Sequence, residues 1–381
     1  MKALIFPMFA AMLAGCASAP LPRNVEPLFS DALFPVRPEV VRAEDIFALS
    51  GPMRDFLDNE IAGRVRRRGP RLGLFETLRD ELRIEYDSAM TRTAAQAFAA
   101  RSGNCLSLVI LTAAFARQLK IPIHYQSVHG QDTWSRSGGI AFRSGHVNLV
   151  LGARPPVGRL SSELDRPLTM DFLPPGAILR QDAVPIAEET VVAMYMNNRA
   201  AEIMADGNPG RAYWWAREAI RTAPSFTNSY NTLGVIYLRH GNLPQAEQAL
   251  GYALEREPDN VEFLSNLSEI LARQGRAAQA RELRNRVAQI APYPPFHFFD
   301  LGMAALARGD NEAAAELFKK ELARMPYDDE LHFVMAVARL RLGEMRQARK
   351  HMTLAMENST TRTRHNIYAA KLDHLKSLQA H

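Results

Sequence analysis

Gly207, Gly241, Gly275, Gly309 and Gly343 stand 34 residues apart, and Pro224, Pro258, Pro292 and Pro326 keep the same step. Ala212, Ala246, Ala280, Ala314 and Ala348 hold it in a third register. No other feature restricts the fold as much. A unit of this length cannot bury its own apolar face, so successive units must stack and share one core. Glycine and alanine at fixed phase allow close helix contact within and between hairpins, and proline breaks the chain before the next unit.

The second unit reads Y-N-T-L-G-V-I-Y-L-R-H-G-N from Tyr230 to Asn242, followed by Ala246 to Leu250 and Pro258. The fourth shows Leu301-Gly302, then Ala314 and Phe318. These residues resemble the tetratricopeptide repeat. The resemblance implies an all-α tetratricopeptide repeat solenoid of five units over residues 193–360, closed by a capping helix within 361–381 whose Ile367, Leu372 and Leu375 cover the last apolar edge. It also implies a concave surface that binds a protein or peptide. Tyr213, Trp214 and Trp215 are expected to pack the array against the preceding domain. Tyr293 to Phe299 reads as an inter-repeat turn and helix start.

The chain is 381 residues long, enough for two or three domains. Residues 1–15 carry Lys2, an apolar run from Leu4 to Leu13 and then small residues, the pattern of an export signal too short for a mature membrane span. Its end, L-A-G-C at Leu13 to Cys16, resembles the bacterial lipoprotein signal. That resemblance implies lipidation of Cys16, anchoring by several acyl chains, and a place at the outer membrane facing the periplasm, because Ala17 is not the aspartate associated with inner-membrane retention. Residues 16–43 are rich in proline and read as a lipid-anchored tether. The formal net charge of +5 mildly favours acidic surfaces, but no nucleic-acid motif accompanies it. The basic run Arg64 to Arg71 reads as a solvated face or loop.

Between tether and repeats, residues 44–190 hold the chemistry. Helices are predicted over Glu44–Ile61 with a break near Gly51-Pro52, over Leu72–Tyr86, and over Thr91–Ala100. Ser102, Gly103 and Asn104 turn the chain and cap a further helix, in which Leu106, Val109, Ile110, Ala113 and Ala114 recur at helical spacing. Cys105 sits in its first turn, where free backbone N–H groups and the helix dipole favour a thiolate. If Cys16 carries lipid, Cys105 is the remaining thiol and has no cysteine to pair with. Ile121–Val128 reads as a strand, Gly130–Gly139 as a polar segment, Ile140–Phe142 as a short strand, Gly145–Leu151 as a strand opening on His146, and Leu168–Phe172 as a strand bearing Asp171. A thiolate can attack a carboxamide carbon, an imidazole can move the proton to the leaving nitrogen, and a carboxylate can fix the ring.

The order G-N-C, apolar helix, K-I-P-I (Lys120 to Ile123), then His146 and Asp171, resembles the transglutaminase-like domain of the papain-like superfamily. This implies an α+β papain/transglutaminase-like domain with helical N-terminal cover, and Cys105, His146 and Asp171 as the catalytic triad. The oxyanion donors are expected to be the Cys105 N–H with Asn104 or Gln96. His124 and His129, with His146, lack matching cysteines or acids in register, so neither metal nor cofactor is expected. The resulting expectation is a membrane-anchored periplasmic cysteine peptidase, amidase or transglutaminase-like acyltransferase, its protein or peptide substrate recruited by the repeats. The alternative is a non-enzymatic envelope scaffold with an inactive cysteine domain.

Overall fold

The computed structural model describes residues 24–377 apart from 83, 89, 138–139, 153–166, 173–181, 294–295 and 360. The expected export signal and Cys16 lie outside the described residues. The first ordered piece carries two 3-10 turns, Glu26–Leu28 and Asp31–Leu33. Four short helices follow: α1 (Ala43–Ile46), α2 (Gly51–Phe56), α3 (Ala62–Arg68) and α4 (Pro70–Thr77). The break expected near Gly51-Pro52 falls between α1 and α2, and Pro52 sits in the first turn of α2, where its missing N–H costs nothing. A π-turn, Leu57–Ile61, carries α2 into α3. Gly73 lets α4 cross α3 closely, since a Cβ there would lie 2.7 Å from the Val65 backbone nitrogen. The basic run faces the acids of the next helix: Arg64 bonds Asp80 at 2.9 Å and Arg68 bonds Glu76 at 3.0 Å.

The predicted helix over Leu72–Tyr86 ends early. After a second π-turn, Leu78–Leu82, residues Glu85–Tyr86 form a two-residue strand, β1. Helix α5 (Ala94–Ala100), strand β2 (Ser102–Gly103) and helix α6 (Cys105–Gln118) come next, and β1 pairs with β2 in parallel. The sheet that follows has β3 (Ile123–Ser137), β4 (Ile140–Leu151), β5 (Leu168–Met170) and β6 (Asp182–Ile186) in the antiparallel order β5-β4-β3-β6. Residues 130–137 of the segment read as polar therefore belong to β3, in a long hairpin with β4 that has one irregularity between Val128 and Thr133. Backbone pairing alone builds such a ribbon, and a polar composition gives no alternating apolar signal to announce it. Val147, Leu149 and Leu151 of β4 are buried in the same apolar cluster as α6.

The repeats form five helix pairs: α7 (Glu188–Ala205) with α8 (Pro209–Thr222), α9 (Asn228–His240) with α10 (Leu243–Leu254), α11 (Val261–Arg273) with α12 (Ala277–Ile290), α13 (His297–Ala307) with α14 (Asn311–Leu322), and α15 (Asp329–Arg341) with α16 (Met345–Glu357). Helix α17 (Arg362–Ser377) covers the end, burying Leu372 and Leu375. The 34-residue glycines are the turns inside each pair, with φ of 81°, 88°, 80°, 82° and 76°. Only glycine adopts that left-handed geometry without a Cβ penalty. The prolines lie between pairs. On either side of Pro292 the apolar core divides: one cluster runs from Leu28 to Ile270, a second begins at Ala305.

From residue 24 on, the expected tether is packed onto the repeats. Phe34 is 2% exposed and stacks on Tyr213 with ring centroids 4.1 Å apart. Trp214 Nε1 donates to the Phe34 carbonyl at 3.2 Å, and the Tyr237 hydroxyl donates to the Leu28 carbonyl at 2.8 Å while accepting from Ser30 N–H at 3.0 Å. Arg221 pairs with Glu26 at 2.8 Å. Pro27 sits in the first of its two 3-10 turns, and its scattered apolar residues find a helical surface to cover. Two of the three aromatics expected at the junction thus hold the N-terminal segment, while Trp215 packs near Tyr195. Phe34→Ala should cost about 3–5 kcal/mol. Urea denaturation should show an earlier midpoint, and limited proteolysis should show new cleavage within residues 24–42.

Candidate active site

The residues before Cys105 fix its position one bond at a time. Thr93 and Gln96 form a reciprocal capping box on α5: the Gln96 N–H reaches Thr93 Oγ1 at 3.3 Å, and the Thr93 N–H reaches Gln96 Oε1 at 3.0 Å. The helix ends at Arg101 in the left-handed region, φ 49°. Asn104 then caps α6, its Oδ1 accepting from the Ser107 N–H at 2.9 Å and the Ser107 hydroxyl at 2.8 Å. Its amide donates to Thr91 Oγ1 at 2.8 Å. Cys105 is the first residue of α6 and half-buried, while every residue from Leu106 to Ala116 is buried. The helix is anchored along its length and presents its positive end with the sulfur.

His146 lies in β4 and Asp171 directly after β5. His146 Nε2 meets Asp171 Oδ1 at 2.9 Å, with the two side chains 3% and 5% exposed. Cys105 lies near the same ring, and its influence favours the protonated form. Asn148, two residues along β4 and so on the same side of the strand, donates its amide to Asp171 Oδ2 at 2.9 Å. Burial disfavours the imidazolium, but the hydrogen bonds to Asp171 and Cys105, reinforced by their charges, outweigh it and raise the His146 pKa to about 9. The ring is therefore a cation at neutral pH, held between a carboxylate and a sulfur.

Cys105, His146 and Asp171 thus come together in the described structure. Asn104 and Gln96, named as oxyanion candidates, hydrogen-bond to other partners. The Asn104 amide is committed to Thr91, and Gln96 is an exposed side chain committed to its capping box. The T-x-x-Q spacing of Thr93 and Gln96 is itself the capping signal. Asn148 was not singled out as a partner of Asp171, although two polar residues at i and i+2 on a strand are the signal for one. Tyr86, also unforeseen, lies on β1 opposite Gly103 of β2, close to the start of α6. His124 lies in β3 opposite Val150, and among the described residues no group of three or more His, Cys, Asp or Glu is placed to hold a metal.

The repeats are recognised by comparison. Two family models, each described as tetratricopeptide repeat, match residues 231–295 and 305–364. A TPR repeat-containing protein of Pseudomonas aeruginosa is 27% identical over 128 residues, which are 33% of this chain and 22% of that protein. The chain thus spans about a fifth of that relative's length. Among solved structures, one titled for Pseudomonas aeruginosa pilF is 21% identical, covers 49% of this chain and 84% of its own, and has a TM-score of 0.28. A thermophilic TPR protein of Thermus thermophilus is 19% identical over 47% of this chain and 98% of its own, with a TM-score of 0.28. The C-terminal part of the chain is an array of tetratricopeptide repeats, a class that generally binds proteins or peptides.

The raised His146 pKa has a definite sign. Because the folded value exceeds the ordinary 6.5, the site's contribution to stability is complete below pH 6.5 and is lost as pH rises through about 9. NMR of the imidazole nitrogens should show His146 titrating near pH 9. In Asp171→Asn the midpoint should fall by more than one unit, and the decline in stability above pH 6.5 should flatten.

Proposed function

We propose that this tetratricopeptide-repeat chain is a cysteine hydrolase or acyltransferase, acting on amide bonds of a protein or peptide that the repeats recruit. One observation carries the reading: a half-buried cysteine heads a buried helix, beside an imidazole that a buried aspartate holds at 2.9 Å. The transglutaminase-like resemblance of residues 70–190 supports the same chemistry. The Cys105 sulfur attacks the amide carbon, and the carbonyl π pair moves onto oxygen. The Cys105 backbone N–H is positioned to steady that oxyanion. As the tetrahedral centre collapses, the C–N bond breaks and His146 gives its proton to the departing nitrogen, leaving a thioester. Water or an amine then attacks the thioester with His146 as base, and the identity of that nucleophile separates hydrolysis from transamidation. Asp171 keeps the ring oriented and steadies its charge.

The Leu13–Cys16 run supports a further part of the proposal, attachment to a bacterial envelope through lipid on Cys16, with the outer membrane facing the periplasm as its place. The repeat matches alone also suit a non-enzymatic scaffold. What favours the enzyme is that Cys105 is only partly buried and stands at the head of its helix. An acylating probe such as a p-nitrophenyl ester, applied to the full chain between pH 5 and 9, should modify Cys105. His146→Ala should slow that reaction about 100-fold or more. Equally slow modification of both proteins would leave the scaffold as the function.

A further inference from the structure

We infer that Asn148 is a positioning residue, its side-chain amide holding the Asp171 carboxylate in the plane that aims its other oxygen at His146. The inference rests on the nucleophilic reading of Cys105 and deepens it. The sheet sets the three residues together. In the antiparallel pairing of β4 with β5, Leu149 stands opposite Met170, Val150 opposite Thr169 and Leu151 opposite Leu168. One step further along the same register, Asn148 stands opposite Asp171, and His146 is the neighbour of Asp171 on the diagonal. Residues so related share a face of the sheet, within reach of each other's side chains. The distances agree. Asn148 Nδ2 donates to Asp171 Oδ2 at 2.9 Å, and His146 Nε2 meets Asp171 Oδ1 at 2.9 Å. All three side chains are buried.

Two bonds do here what one cannot. The terminal torsion of an aspartate is broad, so a carboxylate held at Oδ1 alone can swing about its Cβ–Cγ bond and take the imidazole with it. A donor on Oδ2 fixes the plane. Asp171 has particular need of that donor, because it lies one residue past the last paired position of β5, and the Asn148 bond ties it back to β4. Packing does not account for the amide. Its Oδ1 is buried with no hydrogen-bond partner among the described residues. A buried acceptor without a donor costs stability, and leucine, branched at the same atom, would avoid that cost. The N–H end is what explains the residue. Turned over, the amide would set its oxygen against the carboxylate, two acceptors face to face, so the bonding orientation is the one observed.

The test measures two properties of the full chain below its melting temperature: the His146 titration by imidazole NMR, and acylation of Cys105 by the p-nitrophenyl ester. Asn148→Leu should lower the His146 midpoint from about 9 by about one unit or more and slow acylation by about 10- to 100-fold. Asn148→Asp keeps the shape of the side chain. It should acylate within about threefold of the parent at pH 5, where a protonated carboxyl still donates to Asp171. It should fall at least about tenfold behind at pH 9, where two ionised carboxylates oppose each other. A midpoint and a rate that stay with the parent's in Asn148→Leu would overturn the inference and make Asn148 a packing residue. A deficit in Asn148→Asp that is the same at both pH values would overturn it too. The two failures read apart. A parent chain that forms no acyl-enzyme overturns the nucleophilic reading, and this role with it, whereas a reactive parent beside an equally reactive Asn148→Leu overturns the positioning role alone.

Discussion

The Thr91 side chain is the joint between the two halves of the molecule. It is 1% exposed, and its hydroxyl oxygen accepts from Asn104 at 2.8 Å and from Asn198 at 3.3 Å. Its N–H donates to Glu202 Oε1 at 2.7 Å. Asn104 caps the helix that carries Cys105, whereas Asn198 and Glu202 belong to the first repeat helix. Buried networks of this kind are costly to break, because each released group is left without water. The cap that aims the sulfur is therefore held by the array, and Val191, Val192, Tyr195 and Met196 of α7 share the core of α6. The first repeat is part of the wall of the cysteine domain.

The electrostatics of the site follow the same economy. His146 is placed by β4, Asp171 by the end of β5, and Asn148 adds the bond that occupies the second carboxylate oxygen. Each group is fixed by a neighbour whose own position is set by regular structure. A cationic ring beside a carboxylate is stable here because the two are 2.9 Å apart and both are buried.

What the chain discloses in its sequence depends on whether a feature repeats. The array is legible because glycine, alanine and proline each serve one geometric purpose every 34 residues, and the family matches agree with it. Cys105 and Asp171 are readable in chain order because one opens α6 and the other follows β5, and His146 because it stands within β4 just before the apolar run Val147–Leu151. Tyr86 is not, since a parallel strand of two residues has no period to detect. Gln96 is ambiguous for the opposite reason: one residue type serves both capping and oxyanion roles, and here its Oε1 accepts from the Thr93 N–H. The segment after Asn24 shows the limit of composition. Five prolines within residues 17–43 read as a linker, yet Leu28 and Phe34 are enough to bind it to aromatic rings far along the chain.

That last contact bears on the order in which the molecule can be made. Leu28 and Tyr237 are 209 positions apart, and Asp31 and Tyr213 are 182. A chain synthesised from its amino end exposes Leu28 and Phe34 long before their partners emerge. The amino-terminal segment gains its place only once the second helix pair has been completed. Closure over so many residues is among the slower events in folding, so the part of the protein born first is settled late.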